Sequence, residues 1–103
     1  MKKANIFVDD VFAGELQEIE KGQKYRFVYR STYTGQSVSL QMPTTQLIYD
    51  FDRFPPFFEG LLPEGMMLEA LLKQTKIDRS DYLSQLIAVG QDMVGNVTAE
   101  ACS

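Results

Sequence analysis

Hydrophobic and polar positions alternate in the first half of the chain and follow a helical period in the second. Ile6 and Val8 fall on one side of an extended segment, with Asn5 and Phe7 on the other. Phe7 makes this strand apolar on both faces, which predicts a position inside its sheet. Asp9-Asp10 predicts a turn, and Val11-Phe12-Ala13-Gly14-Glu15-Leu16 a return strand whose glycine tolerates a bulge. After a second turn at Lys21-Gly22-Gln23, Tyr25, Phe27 and Tyr29 alternate with Arg26, Val28 and Arg30. That pattern predicts a strand with one aromatic face and one mostly basic face. Residues 31–36 read as a polar loop. Val38, Leu40 and Met42 alternate with Ser37, Ser39 and Gln41, which predicts a fourth, half-buried strand ended by Pro43.

Past Pro55-Pro56 the period changes. An extended entry there leads into a short helix over residues 57–61. Pro63 suits the first turn of a second helix over residues 63–75. On that helix Met67, Leu68, Leu71 and Leu72 share one face, the expected core face. Asp78 or Ser80 can cap a third helix, Asp81 suits its positive N-terminal end, and Leu83, Leu86 and Ile87 form its apolar stripe. Gly90 reads as a left-handed stop, and residues 97–101 as a last short strand. The expected fold class is α+β. A small, twisted antiparallel sheet from the N-terminal half would pack against about three short C-terminal helices.

Composition narrows the function classes. One hundred and three residues, 45% of them hydrophobic, predict one domain with a single core. The lone cysteine, Cys102, makes an internal disulfide framework impossible and fits a reducing cytosol. There is no histidine, which removes imidazole metal sites and His-dependent triads. A net charge of −4 with dispersed basic residues argues against direct nucleic-acid binding. No apolar run is long enough for a membrane span, and Asp9-Asp10 interrupts any signal peptide.

Candidate catalytic motifs have simpler readings. Gly90-Gln91-Asp92-Met93-Val94-Gly95 has the glycine spacing of a phosphate-binding loop, but Asn96 and Val97 stand where that loop needs lysine and a hydroxyl residue. A helix stop and a turn into a strand explain it. Asp50, Asp52, Glu59 and Glu64 show no spacing that pairs carboxylates for acid–base chemistry. The catalytic and metal-binding motifs of protein kinases are absent. No cofactor is expected. The aromatic face of Tyr25, Phe27 and Tyr29 beside Arg26 and Arg30 offers an alternative, an RNA-stacking sheet, against its burial under helices. Met66 is distinctive. At 100° per residue it points away from the expected core face, beside Glu69, Ala70 and Lys73. Single exposed apolar side chains are ordinary, yet an adaptable methionine makes a good anchor.

Two segments, Phe58-Glu59-Gly60-Leu61-Leu62-Pro63-Glu64-Gly65 and Gly90-Gln91-Asp92-Met93-Val94-Gly95, together with the β-rich start, resemble the N-terminal subdomain of HipA-type serine/threonine kinases, toxins of bacterial toxin–antitoxin modules. In that family the subdomain precedes a much larger kinase core, which would begin where this chain stops, at Ser103. The resemblance therefore implies the HipS type, a small separate antitoxin. Such a protein restrains a HipT-like kinase, while a HipB-like protein supplies helix-turn-helix DNA binding. It also implies a contact patch of Pro63, Gly65, Met66, Glu69, Ala70 and Lys73. The family often carries tryptophan at the Met66 position, where it is associated with plugging the partner kinase near its active site. Methionine offers less rigid area there. The alternative within the family is a non-catalytic N-terminal subdomain of a one-chain HipA kinase.

Overall fold

The computed structural model describes residues 1–93 and 95–102. Strands β1 (Lys3–Val8), β2 (Val11–Glu20), β3 (Lys24–Tyr29) and β4 (Ile48–Phe51) precede helices α1 (Pro56–Glu59), α2 (Gly65–Thr75) and α3 (Tyr82–Val89), and β5 (Val97–Ala101) closes the chain. The five strands form one antiparallel sheet in the order β4-β3-β2-β1-β5. The expected α+β architecture is what forms. β1 lies between β2 and β5, as its two-faced apolar pattern implied. Asp9 and Asp10 both take positive φ, 50° and 66°, in the tight β1–β2 turn. The register slips where Gly14 opposes Ile6 and Phe12 opposes Phe7, which leaves Ala13 as the extra residue of a bulge.

One expected strand is absent. Within residues 37–42 only an isolated bridge joins Ser39 to Met42. A tight turn forms there, with the Met42 N–H donating to the Ser39 carbonyl at 3.0 Å. Val38 and Met42 are buried, while Leu40 at the turn's tip is 98% exposed. The alternation does not survive the change, because Ser39 is buried beside Val38 while Leu40 and Gln41 both face solvent. The Tyr29 hydroxyl holds the loop, accepting from the Val38 N–H at 2.9 Å and donating to the Met42 carbonyl. The sheet gains its further strand from residues 48–51 instead, and Arg26 pairs with Asp50 across it at 2.7 Å.

The core lies between one sheet face and the helical half. Tyr25, Phe27 and Tyr29 are buried, with Phe54 edge-on to Tyr25 at 5.2 Å and Phe58 tilted against Phe27 at 6.0 Å. The aromatic face is therefore interior and unavailable for stacking bases, which removes the basis of the RNA-binding reading. Leu83 and Leu86 of α3 are fully buried in the same core. Asp81 itself caps α3, its carboxylate accepting from the Ser84 N–H at 3.2 Å. Lys2 donates to Asp81 at 2.8 Å and to Ser84 at 2.5 Å, tying the start of β1 to the head of α3. Burial acts to raise the Asp81 pKa, but the hydrogen bonds from Lys2 and Ser84 outweigh it and hold the carboxyl below its ordinary value.

Gly90 ends α3 without a left-handed turn, at φ −53°. Its lack of a side chain serves proximity instead, because a Cβ there would lie 1.8 Å from the Ala99 carbonyl oxygen. Gly95 takes φ +101°, and Val94, between the two glycines of that motif, lies outside the described residues. The left-handed C-cap occurs on α2, at Lys76 with φ 60°.

Candidate partner-docking site

The segment 58–65 is a pinned turn. Phe58 is fully buried and Leu62 nearly so. Between them the chain coils tightly, Leu61 N–H donating to Phe58 O at 3.0 Å and Leu62 N–H to Glu59 O at 3.1 Å. Pro63 stands just outside α2, half-buried, so the helix begins two residues later than the proline suggested. Gly65 enters it at φ +56°, a backbone that side-chain-bearing residues adopt at a cost of about 1 kcal/mol or more. The turn thus aims α2 from two buried pins.

α2 does not seat a core face. None of its side chains is buried; Leu68, Leu71 and Leu72 are half-buried. Met67, expected in the core, is 73% exposed. The physical reason is that α1, Phe54 and α3 already cover the aromatic face of the sheet, leaving α2 at the margin. Met66 is 89% exposed, pointing outward as its helical angle required.

The expected patch divides in two. Gly65, Met66, Glu69, Ala70 and Lys73 are all exposed. Glu69 already has a partner, the guanidinium of Arg79, which reaches both its carboxylate oxygens, one at 2.7 Å. That ion pair ties the middle of α2 to the loop before α3. Ala70 belongs to another surface, an open groove of about 560 Å³ that Met67, Leu71 and Gln74 also line. The far wall is Val89, Asp92 and Met93, and Leu61, Leu62 and Pro63 close one end. Sequence reasoning missed this groove. The i, i+3, i+4, i+7 spacing of Met67, Ala70, Leu71 and Gln74 was legible, but only the fold brings Val89 and Met93 opposite them.

The remaining candidates assemble no reactive centre. Asp50 is paired with Arg26, and Asp52, Glu59 and Glu64 are exposed. Among the described residues no buried side-chain polar atom lacks a hydrogen-bond partner, so the interior shows no orphaned group aimed at a ligand. No described helix is long and apolar enough to cross a membrane. What the surface offers is an apolar, methionine-rich helix beside a groove, an arrangement suited to binding another macromolecule.

Comparison with known proteins places this geometry. A Haemophilus influenzae protein of uncharacterized function is 31% identical over 97 residues, covering 94% of this chain and 90% of its own. A solved structure described as the N-terminal domain of HipA toxin superposes with a TM-score of 0.77 at 28% identity, over all of this chain and 94% of that one. The HipA N-terminal domain family matches residues 4–100, a span that runs from β1 through the pinned turn and α2 into β5, and the chain belongs to that family.

Proposed function

We propose that this protein is a non-catalytic antitoxin, HipS-like, that binds a HipT-like serine/threonine kinase and restrains it. It does so through the pinned turn and α2, in the cytoplasm, within a larger assembly that includes a HipB-like DNA-binding protein. The observation that carries this reading is the state of α2. A helix anchored before its start by buried Phe58 and Leu62 leaves Met66 and Met67 89% and 73% exposed and buries no side chain. Apolar area of this kind is stabilised by burial against a partner, at about 25 cal/mol per Å². Single exposed hydrophobics are ordinary, but two adjacent methionines on an element without a core face form a patch.

The experiment is co-expression with a HipT-like kinase from the neighbouring reading frame, the partner that the proposal requires. The proposal expects the two to copurify and the kinase's toxicity to disappear. A kinase that remains toxic at full antitoxin levels, and elutes alone, refutes it.

The match to the N-terminal domain of a HipA toxin favours one second reading, in which this fold is the non-catalytic N-terminal part of a one-chain kinase. There α2 would pack against the same chain. A continuous reading frame into a kinase core decides for that alternative, and a separate kinase frame decides for the antitoxin.

A further inference from the structure

The groove beside α2 carries a chemical bias that its apolar lining alone does not. Met67, Leu71, Val89 and Met93 give it two adaptable methionines and two branched side chains. The charged residues on its walls are Glu64 and Asp92, both acidic. Neither forms an ion pair or a side-chain hydrogen bond among the described residues. The contrast with the outer face of the same helix is direct, because there Glu69 is neutralised by Arg79. Met67, Ala70, Leu71 and Gln74 span two helical turns, about 10 Å of wall, which matches the anchor spacing of one amphipathic helix.

We propose that this groove receives an apolar helical segment of a partner protein, with lysine or arginine at its flanks to meet Glu64 and Asp92. Charge complementarity selects this occupant. An acidic or purely apolar helix would leave both carboxylates unpaired beside a desolvated interface. A second copy of this acidic chain is disfavoured by its net charge of −4. The segment's membership in a kinase rests on the function proposed above, whereas the groove's preference does not.

The test therefore needs no kinase. The full chain, labelled at its methionine methyl groups, is titrated with a synthetic helical peptide carrying leucines at i, i+4 and i+7 and lysines at both flanks. The same peptide with glutamates at the flanks is the comparison. The expected result is perturbation centred on Met67 and Met93, with the lysine peptide binding at least about 10-fold more tightly. The double variant Glu64→Gln with Asp92→Asn should reduce that preference to about 2-fold or less, while thermal unfolding stays unchanged because both carboxylates are exposed. Equal binding of the two peptides, no binding by either, or perturbation centred elsewhere overturns the proposal. So does peptide-free, concentration-dependent perturbation of Met67 and Met93, which identifies a second copy as the occupant.

Discussion

Gly90 and Ala99 touch backbone to backbone. The Ala99 N–H donates to the Gly90 carbonyl at 3.0 Å, and a Cβ on Gly90 would fall 1.8 Å from the Ala99 oxygen. This contact closes α3 onto the edge strand β5 and covers part of that edge. Gly90→Ala must push the two elements apart, so it is expected to destabilise the fold by about 1–3 kcal/mol, read as a shifted denaturant midpoint. An unchanged midpoint would contradict the contact.

The helices differ in what they hold. Phe58 is fully buried against Phe27, whereas Leu68 and Leu71 of α2 are half-buried. Phe58→Ala should cost about 3–5 kcal/mol, and Leu68→Ala or Leu71→Ala clearly less, on the order of 1 kcal/mol. Equal losses at all three positions in equilibrium unfolding would mean that α2 belongs to the core after all.

Burial first, and then Glu18, raise the Tyr25 phenol from 10.0 to about 12. The folded state thus favours the neutral ring. Its contribution is complete below pH 10, where the unfolded chain's tyrosine is also neutral, and is lost as pH rises through about 12. Tyr25→Phe should flatten the alkaline fall in stability without abolishing it, because Tyr29 and Tyr33 are shifted the same way. Denaturant titrations across that window check this.

Asp81 gives the opposite sign. Its depressed folded-state value means that its contribution is present above the unfolded carboxylate range and disappears as pH falls through the folded value. Asp81→Ala should lower stability at neutral pH by about 1 kcal/mol, the typical loss for a helix cap, and make the acid limb shallower. An acid limb identical to the parent's would show that the Lys2–Asp81 tie has no net effect.

Much of the fold was legible because its cues are local. Alternation around Phe27, the aspartate turn and the stripe Leu83–Leu86 each depend on neighbours a few residues away. What was not legible depends on which element reaches a shared surface first. Leu40 reads as a strand residue but sits on a turn, since the Tyr29 hydroxyl captures the loop from another element. Met67 reads as core, yet α1, Phe54 and α3 occupy the sheet face it would need. Gly90 reads as a helix stop for its backbone freedom, while the fold uses its missing side chain. At the docking surface, the outward angle of Met66 was readable from helical geometry alone. The groove was not, because Val89 and Met93 meet α2 only through the tertiary fold.

The central claim is that α2 docks a kinase, and paired substitutions on its two exposed methionines test it most directly. Both side chains are mostly exposed, so Met66→Asp and Met67→Asp should each leave the unfolding midpoint nearly unchanged. Each should nonetheless weaken binding to the co-expressed kinase by about 1–3 kcal/mol, roughly 5- to 150-fold, by placing a charge in an apolar contact. The measurement is the dissociation constant of each folded variant for the purified kinase, alongside the parent. A loss in that range with folding intact is the predicted result, and parental affinity in both variants would contradict the claim.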